Sequence, residues 1–249
     1  PWSIENFFLQ FFLESNCGCE WASKLVENKI ANIINANLII GADGYNGITR
    51  RYVVGEKPEF IKGKKIRRTV ISINPREIKL SNTVSLWVGN GWHLVIYPLS
   101  SNKLNVVLVS NNIPNFEKIE NEILQKLINI KWYDSKIIKK IDYPTFCFQN
   151  LVLVGDAAHP FPPHLAQGAA QTFEDIIILY EKIVKLGISE KMILSYSNHR
   201  SSKTKNIMDM SNLAGKILGL SGSKSFIRDN IIKFSGPLIN SYISNVWKL

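Results

Sequence analysis

The stretch that decides the fold is LVLVGDAAHPFPPHLAQGAAQTFED, residues 151–175. It opens with a continuous apolar run, Leu151 to Val154, which is typical of a strand buried on both faces in a parallel sheet. It closes as a helix, and an aspartate, two histidines, three prolines and a glycine lie between them. Ligands of open α/β sheets bind beyond the carboxyl ends of parallel strands. The sequence therefore predicts a ligand-binding connection at this strand tip.

A second apolar strand, Asn37 to Gly41, ends in a similar way, in Gly41-Ala-Asp43-Gly44. A glycine lets a ligand approach the backbone, and a carboxylate accepts hydrogen bonds from sugar hydroxyls. After Asp156, the prolines predict an extended spacer, with a helix from about Ala166 whose first N–H groups are free. The pattern indicates a long ligand with hydroxyls at one point and developing negative charge at another.

The intervening segment reads as an antiparallel meander, with Asn90-Gly91 as a two-residue hairpin turn. The fold class is therefore α/β with an inserted antiparallel sheet. One helix is predicted over about 115–130. The next has Phe173, Ile176, Ile177, Tyr180, Ile183 and Val184 on one apolar face and stops at Gly187, and later helices break at Gly222 and Gly236-Pro237. The predicted strands are Ile66–Ile73, Thr83–Val88, Trp92–Pro98 and Leu104–Val109.

Composition sets the broad class. With 249 residues, 45% hydrophobic content and no apolar run of about 18 residues, the chain is an ordinary globular protein without a predicted membrane span. The apolar patch Phe7–Leu13 is not a signal peptide. Three cysteines, Cys17, Cys19 and Cys147, form neither a disulfide framework nor a metal site, which predicts a reducing, cytoplasmic location.

The net charge of +10 raises a second class of function, nucleic-acid binding. The densest basic stretch is Lys62-Gly-Lys-Lys-Ile-Arg-Arg68, which is interpreted as solvated surface. Because no aromatic residues interleave a basic face, nucleic acid is not expected as a partner. A large, salt-dependent loss of nucleic-acid affinity on replacing Lys64, Lys65, Arg67 and Arg68 with glutamine would instead favour that class.

The segment Gly155-Asp-Ala-Ala-His-Pro-Phe-Pro-Pro163 with Leu165-Ala-Gln-Gly168 resembles the second flavin motif of the FAD-dependent aromatic-ring monooxygenases, such as the salicylate, hydroxynicotinate and ubiquinone-pathway hydroxylases. Gly41-Ala-Asp-Gly44 with Arg50 resembles the middle motif of that family, and Gly89 to Pro98 resembles a strand of its substrate domain. The resemblance implies a Rossmann-like FAD-binding domain with an inserted antiparallel-sheet substrate domain and C-terminal helices.

The resemblance also implies roles for single residues. Asp156 would hold the ribityl chain of FAD, and Gly168 and Ala169 would offer N–H groups to the flavin ring, where charge accumulates on reduction. Asp43 would serve the ribose or diphosphate region. The remaining residues assigned to FAD through these motifs are Gly44, Arg50, Gly155, Pro163 and Gln167.

On the predicted substrate strand, His93 and Tyr97 face the same side, since residues four apart share a face. They are expected to point toward Pro163 and His164, where a histidine and a tyrosine can orient or deprotonate a phenol. A structural sheet-surface pair is the equal alternative. His159 is expected to pack structurally, Glu174-Asp175 to be structural, and His199 to have no role.

Two departures qualify the resemblance. Gly47 stands where many relatives have serine, and the chain contains no Gly-x-Gly-x-x-Gly motif. The position of Asp43-Gly44 implies that roughly a hundred family residues are missing upstream. The chain is therefore interpreted as an incomplete FAD-binding domain that by itself binds FAD weakly or not at all, aggregates and is inactive.

The sequence thus predicts hydroxylation of a phenolic or N-heteroaromatic substrate with FAD, O2 and either NADH or NADPH. The alternative is an inactive remnant of such an enzyme. Substrate identity and oligomeric state do not follow from the sequence. The predicted divisions are 1–55 and 141–188 for the FAD-binding part, 56–140 for the substrate sheet, and 189–249 for the C-terminal helices.

Overall fold

The computed structural model describes residues 36–55, 59–74, 83–139 and 146–234. Contacts divide the chain into two compact units. The first comprises Pro1–Pro58, Ile141–Phe161 and Ala166–Met208, and the second Glu59–Lys140, Pro162–Leu165 and Asp209–Leu249. The domain boundaries expected from the sequence stay a prediction. The apolar patch 7–13, Cys17, Cys19 and Gly236-Pro237 lie outside the described residues.

The regular elements of the described residues are named here in chain order. The strands are β1 (Ile39–Gly41), β2 (Phe60–Ser72), β3 (Ser85–Val88), β4 (His93–Ser100), β5 (Lys103–Ser110), β6 (Tyr133–Ile138), β7 (Cys147–Phe148) and β8 (Leu151–Leu153). The helices are α1 (Ile48–Val54), α2 (Glu122–Gln125), α3 (Gly168–Leu186), α4 (Glu190–Leu218) and α5 (Ser223–Phe234). Short 3-10 turns span Phe116–Lys118, Gly155–Ala157 and Pro163–Leu165.

The first unit is built on a small sheet in the order β1-β8-β7. β1 and β8 are parallel, with Ile39 opposite Leu151 and Gly41 opposite Leu153, and β7 joins β8 as an antiparallel neighbour. Every residue of β8 is buried. The prediction of two parallel strands at these positions is therefore confirmed, although both strands are shorter than expected. Burial is confirmed for β8 only, since Ile40 of β1 is 43% exposed.

The second unit contains an antiparallel sheet in the order β3-β4-β5-β2-β6. The predicted hairpin joins β3 to β4, and Gly91 takes a φ of +80°, which favours glycine. Alternate residues of the central strands are buried, as a sheet covered on one face requires. The buried set is Ile71, Leu94, Ile96, Leu104, Val106 and Leu108. The α/β fold class with an inserted antiparallel sheet is confirmed.

The sequence analysis missed β6. Its first four residues, Tyr133 to Lys136, are exposed, and its apolar residues Ile137 and Ile138 lie only at its end. The strand forms because β2 is longer than predicted and offers its outer edge from Phe60 onward. Without alternating hydrophobicity, only the pairing with β2 defines it as a strand.

The single helix expected over about 115–130 is wrong. Asn115 caps a 3-10 turn by accepting from the N–H of Glu117, and Asn121 accepts from the N–H groups of Ile123 and Leu124 at 3.1 and 3.2 Å to begin α2. Asparagine favours such caps over helix interiors, since its side chain competes for backbone groups. The apolar residues of the segment still pack into the core: Phe116, Leu124 and Leu127.

Helix α3 begins at Gly168 and ends before Gly187, close to prediction, but its apolar face is not inside. Phe173 is 72% exposed and Tyr180 67% exposed. The buried positions include Gln171, Glu174 and Asp175 instead. The amphipathic pattern was correct and its orientation was wrong, because buried polar partners hold the charged side inward. The extended spacer before α3 is also only partly correct, since it contains two 3-10 turns.

The predicted break at Gly222 separates α4 from α5, and Gly222 has a φ of +62°. Arg228 of α5 is 2% exposed and donates to the carbonyls of Gly89, Leu218 and Leu220. This side chain therefore fixes the β3–β4 hairpin against the end of α4. No helix in the described part of the chain is both long enough and apolar enough to span a bilayer.

The basic stretch is less uniformly solvated than expected. Lys65 is exposed and pairs with Asp134 at 2.8 Å. Arg67, however, is 6% exposed and donates to the backbone and hydroxyl of Ser110. Lys64 is half-buried. Pairing within the sheet buries Ile66 and Arg67 and half-buries Lys64, which the composition did not indicate.

Candidate functional site

Two aspartates follow the paired parallel strands of the first unit. Asp43 comes after β1 and Asp156 after β8, and the last residues of these strands, Gly41 and Leu153, are partners in the sheet. The carboxyl ends of paired parallel strands lie at one edge of a sheet. Both predicted flavin motifs therefore begin at the same edge.

The carboxylate of Asp43 holds the start of α1. It accepts from the backbone N–H of Thr49 at 2.8 Å and from the Thr49 hydroxyl at 2.5 Å. A methyl group on Gly47 would lie 2.0 Å from the Asp43 carboxyl carbon. Glycine at position 47 thus lets Asp43 reach Thr49. A direct contact of Asp43 or Gly44 with FAD stays a prediction.

The loop after β8 turns sharply at Gly155. This residue has a φ of +61°, in the left-handed region, and its N–H donates to the Asp175 carboxylate at 2.8 Å. Gly155 and Ala157 are buried, whereas Asp156 between them is exposed. The turn therefore presents the Asp156 side chain at the carboxyl end of the strand.

The buried guanidinium of Arg50 links the two motifs. It donates to the carbonyl of Ala157 at 2.6 Å and to that of Ala158 at 3.3 Å. Arg50 is 3% exposed. The structure gives this side chain a role in shaping the loop that carries Asp156, and the FAD contact expected for Arg50 stays a prediction.

A buried network that the sequence analysis missed holds the same loop through Asp175. The Asp175 carboxylate accepts from Arg200 Nε at 2.7 Å and contacts His159 Nε2 at 2.5 Å. Arg200 also donates to Glu174 and to Gln171. The structural interpretation of His159 and of Glu174-Asp175 is confirmed, with ion pairing added to the helix dipole. Arg200 lies on another helix, so no local pattern indicated it.

Two histidines meet in the second unit. Nε2 of His93 on β4 and Nδ1 of His164 in the 3-10 turn are 3.4 Å apart, and the ring centroids are 5.2 Å apart. A methyl group on Gly215 of α4 would lie 2.3 Å from the His164 ring. The bare backbone at Gly215 therefore makes room for that ring. The expectation that His93 points toward His164 is confirmed.

Both imidazoles are held in the neutral form. Burial lowers the pKa of His93 to about 3, and so, in smaller measure, do the charge that His164 carries when it is protonated and the charges of Lys64 and Arg228. Burial and Lys64 lower the pKa of His164 to about 4. In a pair of neutral imidazoles one ring nitrogen donates and the other accepts. The pair can therefore pass a hydrogen bond, or a proton, from one ring to the other.

Tyr97 shares the side of β4 on which His93 lies, but further along the strand. Residues four apart on a strand are separated by about 13 Å, so one substrate atom cannot touch both side chains. Tyr97 is half-buried and lies opposite Asn105 of β5. The structure brings His93 and His164 together and leaves Tyr97 at a distance. His199 is exposed on α4, as expected.

Comparison with known protein families matches residues 22–211 to the family described as FAD binding domain. The chain belongs to the FAD binding domain family. This match covers the Asp43-Gly44 segment, both sheets and the Gly155–Gly168 segment together. The family resemblance inferred from the motifs is confirmed.

Relatives of this FAD-binding chain include aromatic hydroxylases. It is 27% identical over 205 residues to 3-hydroxybenzoate 6-hydroxylase 1 of Aquipseudomonas alcaligenes, covering 74% of this chain and 52% of the relative. It is 27% identical over 195 residues to 3-amino-4-hydroxybenzoate 2-monooxygenase of Streptomyces cremeus, covering 70% of this chain and 48% of the relative. The chain thus spans about half the length of these two relatives.

Solved structures share the fold. The FAD and uric acid complex of Klebsiella pneumoniae HpxO superposes with a TM-score of 0.68 at 16% identity, over 84% of this chain and 59% of that one. A salicylate hydroxylase substrate complex superposes with a TM-score of 0.59 at 16% identity, over 85% of this chain and 64% of that one. At this identity the likeness extends to the fold alone.

The residues of the FAD-binding chain fit part of its cofactor at Asp156 and the start of α3. The N-cap residue Gln167 makes no side-chain capping bond, so its side chain does not occupy the first N–H groups of α3. A methyl group on Gly168 would lie 3.8 Å from Asp156 Oδ1. A carboxylate for hydroxyls and N–H donors for an electron-rich ring edge are therefore adjacent, and Ala169 is exposed beside them.

The other residues assigned to FAD are less directly placed. Gln167 is 2% exposed, and its side-chain oxygen accepts from the Gln171 side chain at 3.4 Å. Pro163 belongs to the second unit, where it begins the turn that carries His164. Their roles stay predictions.

We expect Gly155→Ala to lower the free energy of unfolding by about 1–3 kcal/mol, because alanine is strained at a positive φ. Its methyl group would also lie 2.8 Å from Thr172 Oγ1. Gly168→Ala is the matched control, since its methyl group would meet only Asp156 Oδ1 at 3.8 Å. Urea unfolding followed by circular dichroism measures both variants. Equal midpoints would contradict the strained turn.

The histidine pair predicts a loss of stability in acid. A histidine has a pKa of about 6.5 in an unfolded chain, whereas those of His93 and His164 in the fold are about 3 and about 4. The unfolded state binds protons first, so stability is complete above pH about 6.5 and falls toward pH about 4. Urea unfolding across this range should be less pH-dependent in His93→Gln/His164→Gln. An unchanged slope would show that the pair does not resist protonation.

Proposed function

We propose that the protein serves the FAD-dependent hydroxylation of a phenolic or N-heteroaromatic ring, with NADH or NADPH and O2 as co-substrates. The observation that carries the proposal is the 3.4 Å contact between the buried His93 and the half-buried His164 in a chain of the FAD binding domain family. Relatives named for hydroxybenzoates support an aromatic substrate. When bound, FAD supplies the redox chemistry that activates oxygen.

The first unit is proposed to hold FAD. Asp156 accepts hydrogen bonds from the ribityl hydroxyls, and the N–H groups of Gly168 and Ala169 donate to the electron-rich edge of the flavin ring. Arg50 and Asp175 act as positioning residues, since one binds the loop carbonyls and the other binds the Gly155 N–H. These two contacts hold the loop on both sides of Asp156, so the cofactor meets a preformed carboxylate.

The second unit is proposed to bind the aromatic ring. A neutral imidazole accepts a hydrogen bond from a phenol or ring N–H and so orients the aromatic ring. The second histidine fixes which nitrogen of the first ring is the acceptor, through the 3.4 Å contact between His93 and His164. Tyr97 contacts a different part of the substrate, because its distance from His93 excludes a shared atom.

The proposal for the substrate is tested with a chromophoric phenol such as 4-nitrophenol, whose absorbance distinguishes phenol from phenolate. We expect saturable binding by the chain, with a shift in the absorbance of the bound ligand. His164→Ala and His93→Ala should weaken binding and abolish the shift, and His199→Ala is the exposed control. Binding that is unchanged in both His93→Ala and His164→Ala would overturn the proposed site.

We further propose that residues 1–249 by themselves bind FAD weakly, because they contain no Gly-x-Gly-x-x-Gly segment for the diphosphate. Flavin-fluorescence titration of the purified chain should show partial, reversible binding that Asp156→Ala removes. Fusion to the glycine-rich segment of a hydroxybenzoate hydroxylase should restore tight binding. Stoichiometric FAD retained by the unfused chain would contradict the expectation.

A further inference from the structure

Lys64 differs from the other cations of the basic stretch. Lys65 pairs with Asp134, and Arg67 is bound to Ser110. Lys64 is half-buried on β2, and within the described ranges its ammonium has neither a carboxylate nor a carbonyl as hydrogen-bond partner. Partial removal of a cation from water is unfavourable unless an anion or acceptor replaces the lost hydration. The position is therefore suited to an anionic ligand.

The end of α4 shows where this ammonium lies. A methyl group on Gly219 would lie 2.3 Å from Lys64 Nζ, and one on Gly215 would lie 2.3 Å from the His164 ring. The helical geometry continues through both glycines, since the Gly219 N–H donates to the Gly215 carbonyl at 3.1 Å. Residues four apart on a helix are about 5–6 Å apart on one face. The ammonium and the imidazole thus lie one turn apart over the same bare face.

The positive charge of Lys64 acts on both histidines, since it contributes to the lowered pKa of His93 and of His164. Arg228 also contributes at His93, but its guanidinium is bound to Asp229 and to three backbone carbonyls. Among the described residues, Lys64 therefore supplies a positive charge without a carboxylate partner beside the two rings. A spacing of one helical turn matches two substituents on a single aromatic ring.

We propose that Lys64 is a specificity-determining residue that binds an anionic substituent, such as a carboxylate, on an aromatic substrate whose hydroxyl or ring N–H is held by the histidine pair. This proposal rests on the proposed function. It makes the site selective for acidic aromatic compounds over neutral ones of the same shape. The ammonium donates a charge-assisted hydrogen bond to the carboxylate, which is among the stronger polar contacts in proteins.

The test compares two ligands of matched shape, 3-hydroxybenzoate and neutral 3-hydroxybenzamide, by saturation-transfer NMR titration of the full chain. We expect the chain to prefer the benzoate by about tenfold or more, as one charge-assisted hydrogen bond allows. Lys64→Met should remove this preference and leave the affinity for the amide within about twofold. Lys64→Arg should retain the preference. The control Lys65→Met removes the exposed cation next to Lys64 in the chain and should change neither affinity.

Circular dichroism and urea unfolding establish that the variants are folded. If Lys64→Met does not fold, Lys64→Arg still tests the proposal. Equal affinity of the unsubstituted chain for both ligands would overturn the role of Lys64 and leave the phenol site standing. So would a benzoate preference that survives in Lys64→Met or disappears in Lys64→Arg. Failure of the chain to bind either ligand would overturn the phenol site and this inference together.

Discussion

Arg200→Met is expected to lower the free energy of unfolding by about 3–5 kcal/mol, because it leaves the buried Asp175 carboxylate without its arginine. Arg200 is fully buried, and it donates to Asp175, Glu174 and Gln171. The substitution should also loosen the loop that carries Asp156, since Asp175 accepts a hydrogen bond from the Gly155 N–H. Urea unfolding followed by circular dichroism measures the effect.

Lys203→Met is the matched control for this prediction. Lys203 lies on the same helix and pairs with the same Glu174 carboxylate at 2.8 Å, but its side chain is 22% exposed. A partly exposed pair contributes about 1 kcal/mol or less. A loss in Arg200→Met no larger than that in Lys203→Met would show that the buried network does not hold α3 against α4.

Replacing His93 or His164 with alanine is expected to lower the rate of hydroxylation by about 10²- to 10⁴-fold, the usual contribution of a positioned acid or base. The measurement uses the chain fused to the glycine-rich segment of a hydroxybenzoate hydroxylase and loaded with FAD. The values of kcat and KM are determined separately. Because the imidazole acts on the reacting ring, most of the loss should lie in kcat.

Two further measurements separate chemistry from folding for these variants. Added imidazole should partly rescue His164→Ala, since the vacated space beside Gly215 can accept a free ring. His199→Ala should retain full activity, because His199 is exposed on α4. If both His93→Ala and His164→Ala retained the full rate, the histidine pair would have no part in the mechanism. The proposed FAD-binding residues would then be the remaining functional assignment.

Much of the site was predictable because it depends on local chemistry. A glycine and an aspartate after a buried strand place a carboxylate at a sheet edge wherever that strand is paired, and β1 and β8 are paired as expected. The alternation of His93 with Leu94 likewise assigns the histidine to the face opposite the core. His164 follows from its place in the proline connection.

The contacts that hold these residues were not predictable, because their partners are distant in the chain. Arg50 reaches the carbonyls of Ala157 and Ala158 from more than a hundred residues away, with a sequence separation of 107 to the first. Arg200 is separated from Asp175 by 25 residues. A lone arginine in a polar helix has the same local pattern whether it is solvated or buried, so only packing distinguishes the two.

The sequence by itself determined the family and the fold class, since hydrophobic periodicity and strand-end motifs are short-range properties. Tertiary structure alone decided which side of α3 is inside. The apolar stripe containing Phe173 predicted a buried face, yet the charged side is buried because Arg200 neutralises it there. It also decided that Lys64, in a stretch interpreted as solvated, lies beside a histidine pair. Burial of a charge depends on a partner brought by the fold, and no window of sequence contains that partner.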